Sequence, residues 1–397
     1  MKTTEQKVPA LRFPEFEGEW EEKKLGEVLT IFNGYAFSSS DATTNGTSWV
    51  KIANVGIQEM RNDDLSYLPS TFKEDYSKFL LKEGDYIIAL TRPILNGKLK
   101  VAEVSAFFNN SLLNQRVGKI VSNESQPFIY CLLQLNKVIH EIENNIAGTD
   151  PPNLSPKDID SIKFSFPSLP EQQKIADFLS ATDKRLELLK EKKQGLEDYK
   201  RGAMQRIFSQ ELRFTRADGS AYPDWEEKKL GEIFRITRGQ VLAVNRMKKI
   251  ANKDAIYPVY SSQTKENGLT GYYDEYLFSD AITWTTDGAN AGDVKYRKGK
   301  FYCTNVCGVM LSDVGYANQC IAEIFNSVSK RYVSYVGNPK LMNNVVETIK
   351  LIIPSSLSEQ TQIANFLSAI DVKIEKLGEQ IEATENYKKG LLQQMFV

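Results

Sequence analysis

The chain is poor in the residues on which most catalytic sites depend. Its 397 residues include one histidine, His140, and four cysteines. The sequence has no P-loop, no glycine-rich dinucleotide motif and no candidate Ser-His-Asp arrangement. We therefore expect a protein without catalysis of its own.

Long apolar runs are also missing, and so is a disulfide framework. No run approaches the roughly 18–20 apolar residues that span a bilayer, and the N-terminus MKTTEQKVPALRF has no secretory h-region. Cys131 and Cys320 fit reduced, buried thiols of a cytoplasmic protein. Cys303 and Cys307 invite a metal interpretation, but no second pair completes a tetrahedral site, so we expect core thiols in a strand.

Neither sign of charge is in excess. Fifty basic residues stand against 51 acidic residues, which gives a net charge of −1. Bulk charge alone therefore cannot hold nucleic acid. A protein that reads base edges while partner subunits contact the phosphates remains compatible with this balance.

What the chain does contain is a large internal repeat. Two divergent stretches, 34–167 and 239–354, are each framed by nearly identical flanks, including the octapeptide WEEKKLGE. Such a pattern indicates two tandem copies of one unit, with a constant frame that carries two different domains. The repeated pairs are 11–13 with 212–214, 20–27 with 225–232, and 171–209 with 359–397.

The last repeated segment predicts two long helices. Apolar positions alternate at spacings of four and three residues, from Ile175 to Ile207 and from Ile363 to Met395, which is the seam of a coiled coil. Each helix should span about 36 residues, or ~54 Å. Both helices have a lysine at the same late seam position, Lys200 or Lys388, whose aliphatic stem can still cover the seam. The direction of pairing stays open, although the pseudo-twofold repeat favours antiparallel helices.

The predicted fold class is α+β, with two α/β domains and two long helices that pair as an antiparallel coiled coil. The expected divisions are a first domain (1–168), a first helix (169–209), a linker (210–224), a second domain (225–355) and a second helix (356–397).

Each variable domain shows short β-rich runs that end in polar loops. Residues 85–92 and 280–287 read as buried strands, and Asn96 with Gly97 should form the turn that follows the first. The loop tips carry side chains of the types that read base edges, although such loops are equally typical of any soluble β-rich domain. The candidate readers are Arg92, Asn96, Lys98, Asn110, Asn114 and Arg116 in the first domain, and Arg238, Gln240, Arg246, Gln263, Thr286, Asn290 and Lys295 in the second.

Two apparent catalytic motifs carry little weight. Asp150-Pro-Pro-Asn153 resembles the loop with which amino-methyltransferases hold a flipped base, but Asn153 stands where the stacking aromatic belongs. Glu22, Lys23 and Lys24 could suggest a nuclease cluster. Because the same triplet is repeated at 227–229, we expect a solvated helical or turn face instead.

One aromatic is repeated beside the seam of each helix. Phe178 and Phe366 occupy equivalent places in a first turn that we expect to be otherwise exposed. They are either core residues or part of a docking patch for a partner, and their repetition favours docking.

A duplicated E-Q-x-x-I-A-x-F-L-S-A-x-D helix, each copy preceded by a divergent domain that opens W-E-x-K-x-L-G-E, resembles the specificity subunit of type I restriction-modification systems. The resemblance covers nearly the whole chain. The second copy departs slightly, because Pro170 is replaced by Ser358, which leaves the start of that helix less sharply fixed. The matching positions are Trp20, Leu25, Gly26, Glu27, Glu171, Gln172, Ile175, Ala176, Phe178 and Leu179, with their second copies Trp225, Leu230, Gly231, Glu232, Glu359, Gln360, Ile363, Ala364, Phe366 and Leu367.

The resemblance implies a non-catalytic reader of double-stranded DNA. Each variable domain would be a target recognition domain for one half of a split asymmetric site, and the helices would fix the gap between the halves. Two methyltransferase subunits with S-adenosylmethionine would dock on the chain, and motor-nuclease subunits, using ATP and Mg, would join them. A stand-alone DNA methyltransferase and a coiled-coil adaptor without DNA are the alternatives.

Overall fold

The computed structural model describes residues 7–146, 151–263 and 265–397. The chain divides into two compact units, one formed by Met1–Lys190 with Gln380–Val397 and the other by Glu191–Glu379. Each long helix therefore begins in one unit and ends in the other. Asp150, the first residue of the Asp-Pro-Pro-Asn segment, lies outside the described residues.

The first unit is a mixed domain of short strands and helices. Its strands are β1 (Glu21–Lys24), β2 (Leu29–Asn33), β3 (Thr47–Val50), β4 (Tyr67–Leu68), β5 (Tyr86–Ala89), β6 (Ile94–Leu95), β7 (Lys98–Leu99), β8 (Val101–Glu103), β9 (Leu112–Leu113), β10 (Val117–Ser122) and β11 (Lys163–Phe166). Its helices are α1 (Leu25–Val28), α2 (Phe72–Asp75), α3 (Gln126–Leu132), α4 (Asn136–Ile146) and α5 (Pro156–Asp160), with 3-10 turns at Ser39–Asp41, Ile52–Asn54, Ser77–Phe79 and Ala106–Phe108. The long helix α6 (Leu169–Phe208) follows.

The second unit repeats this plan with longer strands. Its strands are β12 (Trp225–Lys229), β13 (Arg235–Arg238), β14 (Tyr257–Tyr260), β15 (Leu269–Tyr273), β16 (Phe278–Thr285), β17 (Val294–Cys303), β18 (Cys307–Leu311) and β19 (Lys350–Pro354). Its helices are α7 (Leu230–Ile233), α8 (Gln319–Ser329), α9 (Asn343–Thr348) and the long α10 (Leu357–Gln394), with 3-10 turns at Val244–Arg246, Lys265–Gly268 and Lys330–Tyr332.

The sheet topology shows the duplication that the flanks predict. In the first unit the central sheet has the order β2-β10-β5-β8, and all its neighbours are antiparallel. The second unit has the order β13-β18-β16-β17-β14-β15, so its first four strands follow the same plan. The strands predicted at 85–92 and 280–287 are confirmed as β5 and β16.

The WEEKKLGE repeat is a strand followed by one helical turn, and the prediction of a helical or turn face is wrong for its charged residues. β1 pairs antiparallel with β11, and β12 pairs in the same way with β19. Lys163 and Glu22 form an ion pair of 2.8 Å across the first pairing, and Lys350 pairs with Glu227 at 2.7 Å across the second. Backbone pairing with a distant strand, rather than local propensity, decides this conformation.

The predicted seam is confirmed in both long helices. Every seam position from Ile175 to Ile207 and from Ile363 to Met395 is buried or half-buried. Both helices begin at the same place in the repeat, Leu169 and Leu357, so loss of the proline does not move the second start. A hydrogen bond of 2.9 Å between the Tyr222 and Ser358 hydroxyl oxygens holds that second start.

Within each unit the two helix segments run antiparallel. In the first unit Asp183 pairs with Lys388 and Lys190 pairs with Glu385, so residue numbers rise along α6 while they fall along α10. In the second unit Lys200 pairs with Asp371, and Ile207 shares a core with Ile363 and Leu367. The antiparallel pairing favoured by the repeat is therefore confirmed.

Each unit has its own main hydrophobic core, to which the central sheet, the shorter helices and the long helices all contribute residues. In the first, Trp20, Phe128 and Leu179 are almost completely buried together with Phe396, which lies two residues beyond the end of α10. In the second, Trp225, Trp284 and Phe325 surround Ile363 and Leu367. The repeated tryptophans thus anchor each variable domain to a helix.

Candidate nucleic-acid interface

A buried carboxylate at the start of each long helix connects the helix to the lead-in of its domain, the repeated segment 11–13 in the first copy and 212–214 in the second. Glu171 is 1% exposed and accepts two hydrogen bonds of 2.8 Å from the Arg12 guanidinium and one of 3.3 Å from the Trp20 indole. These bonds raise the pKa of Arg12 above its ordinary value. A buried charge of this kind is tolerated because a planar cation and an indole donor satisfy its oxygens.

The second copy contains the same arrangement. Glu359 is fully buried and accepts hydrogen bonds from the Arg213 guanidinium at 3.1 Å and from the Trp225 indole at 3.2 Å. The repeated flanks therefore make the same connection in both copies, between the start of the long helix and the segment that opens its variable domain.

We call each of these arrangements, the glutamate with its arginine and tryptophan, a joint. The glutamine that follows the glutamate adds further hydrogen bonds to it. The Gln172 side chain donates to the Pro167 carbonyl oxygen and accepts from the Ser125 backbone N–H, and Gln360 contacts the Pro354 carbonyl and Asn318 in the same manner. The expectation that the first turns are largely exposed is wrong, because these four residues, Glu171, Gln172, Glu359 and Gln360, are buried.

The repeated phenylalanines pack against the lead-ins. Phe178 is half-buried with its ring edge-on to Phe13 at 5.7 Å, and Phe366 meets Phe214 at 5.8 Å. Each ring has an aromatic partner within its own unit. The geometry therefore supports a packing role more directly than the docking role that the repetition favoured.

In the first domain, a two-residue hairpin presents two of the predicted readers. β6 and β7 are joined by Asn96 and Gly97, whose φ angles of 52° and 69° are those of an Asn-Gly turn, as predicted. Asn96 and Lys98 are exposed at this tip. Both also line a groove of about 780 Å³, together with Lys137 and Lys389.

The remaining candidates of the first domain lie on other loops. Arg92 is exposed with a φ of 48°, and its backbone N–H donates to the Pro152 carbonyl at 2.7 Å. Asn153 forms an isolated bridge with Thr91, so the part of the Asp-Pro-Pro-Asn segment that the structure describes is a tight bend. This agrees with the interpretation as a turn.

Asn110 and Asn114 have structural tasks of their own. Asn110 is exposed with a φ of 61°, and its N–H donates to the Leu81 carbonyl at 2.8 Å. The Asn114 side chain is half-buried and accepts from the backbone N–H of Arg116 at 3.0 Å. Arg116 itself is exposed.

In the second domain, the structure brings several candidates together around the turn between β17 and β18. Arg238 donates to the Asn305 carbonyl at 2.8 Å, and the Gln240 backbone N–H donates to the Cys303 carbonyl at 3.1 Å. Asn290 donates to the Ser262 carbonyl at 3.0 Å, beside exposed Gln263. Four loops that are distant in sequence thus form one polar surface.

Glycines permit the close approach of these loops in both domains. A Cβ atom at Gly239 would lie 2.2 Å from the Cys303 carbonyl oxygen, and one at Gly34 would lie 2.2 Å from that of Leu113. In both copies the glycine that follows β2 or β13 therefore lies against the last residue of a strand, β9 in the first copy and β17 in the second.

Thr286 does not fit the proposed reading set. Its side chain is 1% exposed, and its hydroxyl donates to the Val306 carbonyl and contacts Asp287. Thr286 therefore stabilises the turn between β17 and β18 through its hydrogen bond to the Val306 carbonyl. Arg246 and Lys295 are exposed on other elements, with the Arg246 guanidinium 5.0 Å from the centre of the Tyr273 ring.

A buried arginine near this surface was missed by sequence reasoning. Arg297 is 9% exposed, lies 3.8 Å from the centre of the Tyr260 ring, and donates to the Thr283 hydroxyl at 3.1 Å. Burial lowers its pKa. Its position on a central strand gives no loop signal that could have revealed it.

The cysteines are free and buried, as the sequence predicts. Within the ranges that the structure describes, no three His, Cys, Asp or Glu side chains are grouped to hold a metal ion. In the same ranges no helix has both the length and the apolar character that a bilayer crossing needs.

Comparison with known families matches nearly the whole of both copies. The family model described as "Type I restriction modification DNA specificity domain" matches residues 17–198 and 222–385. A chain of Mycoplasma pneumoniae named "Putative type I specificity subunit S.MpnORF365P" is 31% identical over 247 residues, which cover 61% of this chain and 87% of that one. These matches confirm the resemblance given by the repeated motifs.

A further relative and two solved structures agree. The type I restriction enzyme MjaVIII specificity subunit of Methanocaldococcus jannaschii is 31% identical over 198 residues, and the match spans about half of each chain, 49% of this one and 47% of that one. The crystal structure of the S subunit from M. genitalium has a TM-score of 0.69 at 18% identity, covering 98% of this chain and 99% of that one. A structure from a study of type I restriction-modification complex assembly has a TM-score of 0.51 at 15% identity, covering 95% and 97%. The predicted fold class is thus confirmed.

Proposed function

Because the chain belongs to the family of type I restriction-modification specificity proteins, we propose that it reads the two halves of a split asymmetric site in duplex DNA. As a specificity subunit it is a recognition component and not an enzyme. Its first variable domain reads one half-site and its second reads the other, while the paired helices set the gap between them.

The observation that carries this proposal is the contrast between frame and insert. The joint of Glu171, Arg12 and Trp20 recurs as Glu359, Arg213 and Trp225 with matching partners. The variable stretch that each joint encloses differs between the two copies in length, composition and number of strands. A constant frame that holds two different loop surfaces supports two readers of different sequence.

Partner subunits carry out methylation and DNA cleavage. Two methyltransferase subunits carry S-adenosylmethionine and modify adenine, and motor-nuclease subunits use ATP and Mg to cut unmodified DNA. Holding such partners on the chromosome requires a cytoplasmic location. The near-neutral charge of the chain is consistent with partners that supply much of the phosphate contact.

The polar surface around the β17–β18 turn is the proposed reading site of the second domain. Its candidate readers are Arg238, Gln240, Gln263 and Asn290, with Arg246 and Lys295 on neighbouring elements. In the first domain we retain Arg92, Asn96, Lys98, Asn110, Asn114 and Arg116. Thr286 is left out because it is buried.

A domain exchange tests the division of labour. Residues 34–167 are replaced by the corresponding segment of another family member, and the methylated motif in cells that carry the complete complex is read by genome sequencing. We expect one half of the motif to change while the other half and the gap stay constant. A change in both halves, or in neither, would contradict the two-reader proposal. Replacement of 239–354 provides the reciprocal control.

A further inference from the structure

The segment from Val241 to Ile256 exposes aliphatic side chains to an unusual degree. Val241, Val244 and Ile250 are 78%, 81% and 80% exposed, and Ile256 is 55% exposed. Single exposed aliphatics are ordinary, but a group of them on one segment indicates an interaction surface.

The same segment is basic. It contains Arg246, Lys248, Lys249 and Lys253 against one acidic residue, Asp254, in a chain whose net charge is −1. The corresponding segment of the first domain, 36–51, has one acidic residue, Asp41, and one basic residue, Lys51, so it carries no net charge. The positive charge is therefore a property of the second domain and not of the repeated plan.

This segment is anchored to the sheet rather than loosely attached. Lys248 and Tyr272 exchange two backbone hydrogen bonds of 2.9 and 2.7 Å, while Leu242 and Ala255 are buried. A Cβ at Gly271 would lie 2.8 Å from the Lys248 carbonyl oxygen, so the segment crosses the sheet edge closely. The exposed aliphatics between these anchors are consequently held in place before any ligand arrives.

The positive charge of the segment favours an anionic ligand, and duplex DNA is such a ligand. Aliphatic side chains interleaved with lysines match the major groove of duplex DNA, where thymine C5-methyl groups lie beside phosphates. The segment also directly follows Arg238 and Gln240 of the polar surface described above.

We propose that the segment 241–256 enters the major groove of the second half-site, where Val244 and Ile250 contact thymine methyl groups and the lysines contact phosphates. This proposal rests on the proposed function and adds a chemical class of base contact that polar loop tips cannot make. It also assigns an apolar part of the specificity to one domain only.

The test removes methyl groups from the DNA and aliphatic groups from the protein. The full chain with its methyltransferase partners is titrated with a duplex that carries its genomic methylation motif, and each thymine of the second half-site is replaced in turn by deoxyuracil. We expect affinity to fall about three- to tenfold at one or two of these positions. V244S or I250S should lose a similar factor on thymine DNA and should no longer respond to deoxyuracil at one of those positions.

Two controls separate the contributions. Val314 is 62% exposed in the same domain, and V314S should keep the wild-type response to deoxyuracil. K249A should weaken binding equally on all these duplexes and lower the salt dependence by about one ion, as a phosphate contact does. Since the substituted aliphatics are exposed, thermal melting should be unchanged in every variant.

The outcomes are distinct. Wild-type binding that ignores deoxyuracil, V244S and I250S that bind like wild type, or a second half-site without thymine would each overturn the methyl contact. If the wild-type complex does not prefer its motif over a scrambled duplex, the proposed function itself fails.

Discussion

The ammonium group of Lys388 lies 2.6 Å from the carboxylate of Asp183. Its counterpart in the repeat, Lys200, lies 2.8 Å from Asp371, which is the counterpart of Asp183. Each long helix therefore contributes one lysine and one aspartate, and one pair lies in each unit. This reciprocity is possible only for antiparallel helices in a single register, because a shift would separate both pairs at once.

The environments of the two lysines differ although their partners are equivalent. Lys388 also donates to the side-chain oxygens of Gln58 and Gln134, whereas Lys200 contacts the carboxylate of Glu323. Burial lowers the pKa of Lys200, but Glu323 and Asp371 more than compensate and raise it above its ordinary value. A polar seam position of this kind specifies register at some cost in stability.

We predict that Asp183→Ala destabilises the protein by about 1–3 kcal/mol, because it removes the charge partner of a lysine that is 8% exposed. The measurement is the free energy of unfolding in denaturant. Glu385→Ala is the matched control: it breaks the pair with Lys190, in which both side chains are at least half exposed, and should cost under about 1 kcal/mol. Equal effects would show that the buried pair has no special role.

Substitution of the buried glutamate in each joint should reduce stability more than substitution of Asp183. Glu171→Ala leaves the Arg12 guanidinium and the Trp20 indole without an acceptor, so we expect a loss of about 2–4 kcal/mol, and a similar loss for Glu359→Ala. Glu15→Ala breaks the exposed pair with Lys174 nearby and serves as the control. If thermal melting after Glu171→Ala matched that control, the joint would not support the fold.

The sequence predicted the parts of the structure that depend on local periodicity and on repetition. The helix seam, the strands β5 and β16 and the Asn96–Gly97 turn all have short-range signals. It did not predict that EEKK would be a strand, because that conformation depends on pairing with β11 and β19, over a hundred residues away.

Long-range pairing also explains why one candidate residue, Thr286, is buried. Thr286 follows a strand and looks like a loop residue, but contact with Val306 buries it. Arg12 was visible as part of a repeat, yet its partner lies 159 residues away. Exposure and partner choice are tertiary properties, so residue type alone could not separate exposed loop residues from buried ones.

Alkaline conditions should reveal the burial of Cys131. Burial raises the pKa of its thiol from 9.0 to about 12. Between these values the unfolded chain releases a proton that the folded chain retains, so stability is complete below pH 9 and declines as pH rises towards 12. We expect Cys131→Ala to be less stable than wild type at pH 7, but to lose less stability between pH 9 and 10.5 in urea titrations. Parallel slopes would contradict a buried neutral thiol.

Phe178→Ala should reduce stability by about 1–2 kcal/mol, because the ring is half-buried against Phe13. Binding of a methyltransferase partner at saturating concentration should then change little. The measurements are thermal melting and co-purification of the partner with the variant, with Phe366→Ala as the equivalent change in the second copy. An unaltered melting temperature with lost co-purification would favour the docking interpretation instead.

The last prediction concerns the spacing between half-sites. In α6, Lys200 lies 17 positions after Asp183, and in α10 Lys388 lies 17 positions after Asp371. Inserting seven residues after Lys192 and seven after Gln380 lengthens both segments by ~10 Å while nearly preserving the phase of the seam. Both lysine–aspartate pairs can then still form.

If the helices set the gap, the methylated motif of cells with the double insertion should contain about three more base pairs between unchanged half-sites, at ~3.4 Å per pair. Methylation should be less efficient, because three base pairs also rotate one half-site by about 100° relative to the other. Insertion into α6 alone lengthens only one of two paired segments, so one lysine–aspartate pair must break, and we expect lower stability without a defined longer gap. An unchanged gap with full methylation in the double variant would place control of spacing in the partner subunits.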